Sequence, residues 1–197
     1  MSFIKKHSRL NISKQELEPF ALIEPNKNYT RNLIATDDET FTLLLLCWNP
    51  GKYSPVHDHP CNGCWMRVCQ GVVNEVRYEK KEHTILPPIE EDDADNGTKV
   101  CDDDVTFSSS SSPSPISTSF ECTEDTTFKE GEQTYIHDNL GYHKVGNPSD
   151  TLSISMHLYS PPFSKCKIWM DPNDCSRSST SRMCNFSEYG RYIVKEN

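Results

Sequence analysis

The order of apolar and polar positions along the chain predicts many short β-strands. Residues 40–48, TFTLLLLCW, are almost all apolar, which is typical of a buried strand. Residues 152–160, LSISMHLYS, alternate between apolar and polar until two prolines end the run. Further runs predict either two strands joined by a turn or a single short strand, and they cover residues 64–78 (with the turn at Gln70-Gly71), 133–147, 168–170 and 189–194.

Only one segment favours a helix. Residues 13–20 begin with Ser13, a residue suited to an N-cap, and Glu16 follows three positions later, as in a capping box. Short strands separated by Gly, Pro and Asn corners indicate a sandwich or a barrel. We therefore predict an all-β fold, a small jelly-roll barrel of the cupin type, with a short N-terminal helical segment.

The length of 197 residues suggests a single domain, residues 1–197, that carries an insertion. Residues 88–127 contain eleven acidic residues and one basic residue, together with the tract SSSSSPSP. High net charge and low hydrophobicity predict disorder, so we expect residues at about 87–127 to form a disordered acidic and serine-rich loop. The alternative is a segment that is phosphorylated or that binds a partner.

The net charge of −9 comes from this insertion, because the other residues hold 19 bases and 18 acids. A nearly neutral remainder gives no reason to expect binding to nucleic acid or to an anionic membrane. No apolar run approaches the roughly 18 residues of a membrane helix. The N-terminal MSFIKKHSRLN lacks the apolar core of a secretory signal. We expect a cytosolic monomer whose nine cysteines are free thiols, metal ligands or catalytic groups.

The segment SPVHDHPCNGCW concentrates the candidate chemistry. On a strand, His57 and His59 would project to the same face and Asp58 to the other. Two such imidazoles could bind a divalent metal. Three alternatives stay open at this point: a pair of satisfied core histidines, a zinc site formed by both histidines with Cys61 and Cys64, and a redox pair of those two cysteines.

The surrounding spacing resembles the first cupin motif, GX5HXHX3-4EX6G. Here it runs from Gly51 through the HDH block to Gly71, and Cys64 stands where most cupins place a glutamate ligand. His143 with Asn147 resembles the second motif, although its usual PXG is absent. Three neutral imidazoles would leave a divalent ion with its full charge, which favours an anionic ligand such as a thiolate and lowers the thiol pKa.

Four blocks together make the chain similar to the cysteine dioxygenases. They are NYTRNL, the HDH block with Cys64, GYHKVGN and SMHLYSPPF. The resemblance implies a cupin that binds non-haem Fe(II) and oxidises L-cysteine to cysteine sulfinic acid with O2, the first step of cysteine catabolism.

The resemblance also implies a role for each matching residue around the metal. His57, His59 and His143 would be the iron ligands. Arg31 would pair with the substrate carboxylate, which a guanidinium can hold through two hydrogen bonds. Tyr29, two residues earlier on the same strand face, would assist. A surface arginine and an ordinary strand aromatic are the alternative interpretations of these two residues.

A second group matches the family's active-site tyrosine and its neighbours. Tyr159 would be that tyrosine, and Cys64 would be the cysteine that forms a thioether with it. Ser155, His157 and Tyr159 alternate and would share a strand face, so His157 would hydrogen-bond the phenol. Ser160-Pro161 matches a cis peptide of the family. Core packing is the alternative interpretation of the cysteine and the tyrosine.

Other functions remain in view. A thiol dioxygenase that acts on 3-mercaptopropionate is the nearest alternative, and Arg31 and Cys64 argue against it because both match the cysteine-specific pattern. Cysteamine has no carboxylate for Arg31 to bind. A non-catalytic cupin whose acidic loop recruits partners would be a binding module instead.

Overall fold

The computed structural model describes residues 12–60, 62–84 and 116–193, and these residues form mainly β-structure. His7, Cys61 and residues 85–115, which include Cys101 and most of the predicted insertion, lie outside the described residues. The strands are β1 (Tyr29–Thr36), β2 (Thr42–Trp48), β3 (Val56–His57), β4 (Gly63–Gln70), β5 (Val72–Thr84), β6 (Ile116–Lys129), β7 (Gln133–Ile136), β8 (Tyr142–Gly146), β9 (Ser153–Ser160), β10 (Lys165–Trp169), β11 (Ser179–Arg182), β12 (Ser187–Glu188) and β13 (Arg191–Tyr192).

Two sheets share one hydrophobic core. A seven-stranded sheet has the order β13-β12-β1-β2-β9-β4-β7, and a six-stranded sheet has the order β11-β10-β3-β8-β5-β6. The main core cluster draws Leu44 and Trp48 from the first sheet and Val73 and Val145 from the second. Apolar side chains of both inner faces are thereby removed from water, which is the main driving force for joining the sheets. The prediction of an all-β, jelly-roll type cupin fold is confirmed.

The helical segment is short, as predicted. Helix α1 (Lys14–Leu17) has Ser13 as its N-cap, and Glu16 completes the predicted capping box. A 3₁₀ turn, Glu18–Phe20, continues from it, because Pro19 has no N–H with which to extend the α-helical hydrogen bonds. Within the described residues, none of the helices has the length and apolar character needed to cross a bilayer.

The predicted turns account for the strand boundaries near the site. Gly71 separates β4 from β5 with φ +73, and a Cβ there would lie 2.7 Å from Ser153 Oγ, so this corner requires glycine.

The prediction of a strand over residues 189–194 is wrong at its start. Tyr189 and Gly190 both have positive φ and form the turn that leads into the two-residue strand β13.

The predicted disordered insertion needs a correction at its C-terminal end. Residues 116–127 lie in β6, which pairs along its length with β5 at the edge of the six-stranded sheet. Its three acidic residues remain exposed, and two of them lie near cations of β5: Glu121 is 4.0 Å from Lys81, and Glu124 is 3.3 Å from Arg77. High negative charge therefore marked an edge strand in this part of the chain, not a disordered loop.

The outer edge of β1 is covered by β12, a strand from a distant part of the sequence. Strand β12 runs parallel to β1. The backbone N–H of Phe186 donates to the Arg31 carbonyl at 2.7 Å, and Ser187 Oγ donates to the buried Asn32 side chain at 2.7 Å. These bonds satisfy polar groups of β1 that would otherwise lack partners.

Candidate metal centre

Three imidazole rings converge between β3 and β8. His57 ends β3 and is paired in register with His143 of β8, and His59 follows two residues later. The ring centroids are 4.6 to 4.9 Å apart. One nitrogen of each ring lies within 4.8 Å of the others, and His59 and His143 are buried. As predicted, Asp58 points elsewhere and accepts a hydrogen bond from the Lys167 backbone.

Hydrogen bonds fix the protons of two rings away from the centre. His57 Nδ1 lies 3.0 Å from the Pro55 carbonyl, and His143 Nδ1 lies 2.6 Å from Glu75 Oε1. Both acceptors require a proton on Nδ1, which leaves each Nε2 atom unprotonated. The two Nε2 atoms lie 3.1 Å apart, so their lone pairs face each other without a proton between them. His59 Nδ1 is buried with no hydrogen-bond partner. Converging lone pairs and an unpaired buried nitrogen fit a bound cation.

Burial keeps these rings neutral. Desolvation lowers the pKa of His57 to about 4 and holds the pKa of His59 and of His143 well below the ordinary value of 6.5. The neighbouring imidazoles lower the pKa of the latter two rings further. Neutral imidazole is the form that binds a metal, so the centre is ready for one at neutral pH.

The alternatives for the HDH segment find less support. Satisfied core histidines would not leave His59 Nδ1 unpaired. In the described part of the chain, the potential metal-binding group is made of the three histidines and includes neither Cys64 nor a carboxylate. The zinc site and the redox pair both needed Cys61, which lies outside the described residues.

A small cavity extends from the imidazoles to β1. Arg31 and Tyr29 both line it, together with His57, His143, His157 and Tyr159, and its volume is about 60 Å³. That space corresponds to about four or five water-sized groups, so it suits a small molecule. Arg31 Nε is buried without a hydrogen-bond partner, which differs from the solvated nitrogen of a surface arginine. Desolvation raises the pKa of Tyr29, which keeps this phenol protonated.

Cys64 and Tyr159 stand directly opposite each other on the antiparallel strands β4 and β9. Both are buried, and directly opposed residues in such a pair have Cβ atoms about 5 Å apart. Desolvation raises the pKa of Tyr159, and the neighbouring thiol contributes in the same direction. The Arg31 guanidinium carbon lies 5.6 Å from the centre of the Tyr159 ring. The phenol is therefore protonated and lies beside a cation.

His157 lies on the predicted face but has different partners from those expected. Its Nε2 is 2.8 Å from Ser155 Oγ, whose hydroxyl also accepts from Trp48 Nε1 at 2.8 Å. Its Nδ1 is 3.7 Å from Cys64 Sγ. The expected hydrogen bond from His157 to the phenol is thus replaced by contacts with the serine and the thiol, and the two rings stack 6.1 Å apart. The cis peptide at Ser160-Pro161 is present as expected.

Sequence reasoning missed Glu75, whose carboxylate contacts a ring of the metal centre. Its side chain is 2% exposed, although it stands in the strand VVNEVRY. The signal was available, because Val73, Glu75 and Arg77 alternate and a core valine in that row places the acid on the inner face. What the sequence did not provide was the identity of the partner on β8.

Several known proteins with similar sequences are cysteine dioxygenases. The family model described as Cysteine dioxygenase type I matches residues 7–171. Curated relatives include Cysteine dioxygenase type 1 from Danio rerio, 29% identical over 163 residues that make up 82% of this chain and 65% of the relative. The enzyme of the same name from Rattus norvegicus is 30% identical over 142 residues, 70% of this chain and 54% of the relative. The chain thus spans between half and two thirds of these relatives.

Solved structures also align with the chain at low identity. One is an uncharacterized conserved protein with a double-stranded beta-helix domain from Klebsiella pneumoniae. It is 12% identical, with a TM-score of 0.49, and the alignment covers 83% of this chain and 95% of that one.

Proposed function

The chain belongs to the cysteine dioxygenase type I family, and we propose that it is an Fe(II)-dependent dioxygenase that converts the thiol of L-cysteine to the sulfinic acid. Both atoms of O2 enter the product, so that R–SH and O2 give R–SO2H without a further reductant. The observation that supports this proposal best is that two histidines of the metal centre, His57 and His143, line one small cavity together with Arg31.

His57, His59 and His143 would hold the metal. Imidazole suits iron, zinc, copper and nickel alike, so the assignment of iron comes from family membership and not from the ligand type. Bound Fe(II) would supply electrons that allow O2 to react with a thiolate. The role of the three rings is to hold the ion through neutral nitrogens, which leaves its positive charge available to a thiolate.

Arg31 would bind the substrate carboxylate. Its guanidinium stays charged, since the nearby Tyr159 and Tyr29 raise its pKa against the effect of burial. With Nε unpaired in the cavity, this side chain has a free donor for a carboxylate oxygen. A substrate anchored at its carboxylate presents its thiol to the imidazoles in a restricted set of orientations, which lowers the entropic part of the barrier.

The two tyrosines would act as neutral hydrogen-bond donors. Burial raises the pKa of Tyr29 and of Tyr159, so both keep their protons throughout the physiological range. Tyr159 would donate near the reacting oxygen, and a thioether to Cys64 would restrict rotation of its ring. Burial lowers the pKa of His157 to about 3, so this ring would stay neutral. Its Nδ1, 3.7 Å from Cys64 Sγ, would hold the thiol in place beside Tyr159.

O2 uptake by the protein loaded anaerobically with Fe(II) tests the proposal. L-Cysteine, 3-mercaptopropionate and cysteamine are added separately, and cysteine sulfinic acid is quantified. We expect the fastest uptake with L-cysteine and almost none with cysteamine, which cannot occupy Arg31. Fastest uptake with 3-mercaptopropionate would replace the substrate assignment, and no uptake with any thiol would favour the non-catalytic binding module. A monomeric state and a cytosolic location remain predictions.

A further inference from the structure

Glu75 is a buried acid that no role described so far requires. It lies on β5, and its Oε1 is 2.6 Å from Nδ1 of His143 on the adjacent strand β8. In the register of this pair, Glu75 faces Val145 and Arg77 faces His143, so Glu75 reaches its histidine diagonally. Burying a carboxylate costs free energy unless it is paired, so its position calls for an explanation.

The second oxygen of Glu75 is fixed by residues of both sheets. Oε2 accepts hydrogen bonds from Arg77 at 3.1 Å and from Thr134 Oγ1 at 2.9 Å. Thr134 belongs to β7 of the seven-stranded sheet, whereas Glu75 and Arg77 belong to the six-stranded sheet. Arg77 also donates to the Tyr135 carbonyl at 2.9 Å. The carboxylate is therefore held from two sides and cannot easily rotate away from His143.

We propose that Glu75 is the positioning residue of the metal centre: it fixes the ring plane of His143 and keeps the proton on Nδ1, so that Nε2 faces the ion. This inference rests on the metal centre of the proposed function. A paired carboxylate can only accept a hydrogen bond, so it selects the Nδ1–H tautomer. It also makes the imidazole a stronger donor to a metal, and such outer partners typically contribute about 10- to 100-fold in metal affinity.

The competing interpretation is that Glu75 only pairs with Arg77. The chain offers a matched control, because Glu124 also pairs with Arg77, at 3.3 Å, but is half exposed and belongs to the edge strand β6. Replacing Glu124 removes a carboxylate partner of Arg77 and leaves the contact with His143 intact. Only the positioning role predicts that the two replacements differ in metal affinity.

Titration with Co(II), followed by its visible absorption, measures this difference without oxidation chemistry. We expect Glu75→Ala to weaken Co(II) binding by about 10- to 100-fold relative to the unmodified protein. Glu75→Gln keeps an acceptor for the ring N–H but loses the charge, so we expect an intermediate loss of at least about threefold and shifted absorption bands. Glu124→Gln should bind Co(II) within about twofold of the unmodified protein.

Thermal unfolding of the metal-free variants shows whether each is folded, and Glu75→Gln decides the outcome if Glu75→Ala does not fold. Equal Co(II) affinity and equal spectra for Glu75→Gln and Glu124→Gln would overturn the inference. The proposed function can fail separately, because Co(II) binding does not depend on thiol oxidation. Iron-loaded protein that consumes no O2 would overturn the function, while the Co(II) comparison would still decide the role of Glu75.

Discussion

The Nε2 atoms of His57 and His143 lie 3.1 Å apart, and each ring uses its other nitrogen to donate to an oxygen acceptor. Two lone pairs at this distance repel unless a cation lies between or beside them. Because both rings sit in register on paired strands, the sheet itself holds them in this arrangement. A metal would therefore stabilise the protein as well as take part in its chemistry.

Replacing His143 should remove the metal. In His143→Ala one of three ligands is lost and Glu75 is left without its imidazole, so we expect Fe(II) retention below about a tenth of the unmodified value. Elemental analysis after anaerobic loading and desalting measures it. His137→Ala is the control, since that ring lies outside the three-histidine group, and its iron content should not change. Equal retention in both variants would disprove the ligand assignment.

Replacing Arg31 should weaken substrate binding and leave the metal in place. Arg31→Met removes a buried charged donor, and losing one member of such a pair costs about 2 kcal/mol or more. We expect the KM for L-cysteine to rise by roughly 30-fold or more, with unchanged iron content. Arg67→Met is the control, because Arg67 lies on β4 and does not line the cavity. An unchanged KM in Arg31→Met would mean that another group binds the carboxylate.

The opposed pair Cys64 and Tyr159 should form a thioether during turnover. Formation of the bond removes two hydrogens, one from the thiol and one from the ring, with O2 as the oxidant. Mass spectrometry of the linked peptides after incubation with Fe(II), L-cysteine and O2 should find that loss. Tyr159→Phe should lack the product, and Cys69, a thiol on the same strand, should remain unmodified. Two separate, unchanged peptides from active protein would refute the prediction.

The metal-free protein should lose stability in mild acid. Desolvation lowers the pKa of the half-buried His57 to about 4, whereas the same ring in the unfolded chain has a pKa near 6.5. The unfolded state therefore binds protons first, so stability is complete above about pH 6.5 and falls as the pH approaches 4. For His57 the full loss is about 3 kcal/mol. Urea unfolding at several pH values measures the slope, which should be smaller in His57→Asn; identical slopes would contradict the assignment.

Lys80 should stabilise the outer end of the β5–β6 pair. Its ammonium lies 4.4 Å from the ring centre of Trp169, 4.9 Å from Tyr142 and 5.8 Å from Phe120. Such cation–π contacts contribute about 0.5–2 kcal/mol, so Lys80→Gln should lower the free energy of unfolding by about 1 kcal/mol or more. Lys81→Gln breaks only surface ion pairs and should cost less than about 0.5 kcal/mol. Urea unfolding compares the two, and a larger effect at Lys81 would reverse this interpretation.

The strands could be predicted where local sequence decides them. The apolar run of β2, the alternation of β9 and the Gly71 corner each leave a local pattern, and the structure contains all three. The strand β6 could not be predicted from composition. Its acids resemble a solvated loop, and they form a strand because β5 offers both a free edge and opposite charges. Pairing between segments that lie far apart in the sequence cannot be seen in a short sequence window.

The candidate site shows the same division. The HDH block and His143 were found from their spacing, because imidazoles with the right separation limit the possible chemistry. Glu75 and the partners of His157 were missed, since each depends on which strand lies beside which. The alternation of β9 placed Ser155 and His157 on one face correctly, but it could not say that Cys64 would approach closer than the phenol.

The closing of β1 by β12 also has a consequence for the order in which the site is assembled. Ribosomal synthesis delivers residues 186 and 187 after every histidine of the centre and long after Arg31. The main-chain carbonyl of Arg31 and the side chain of Asn32 can form these hydrogen bonds only after residues 186 and 187 have been synthesised. A nascent chain thus has all three imidazoles of the centre before residues 186 and 187 emerge and complete the hydrogen bonds of β1 beside Arg31.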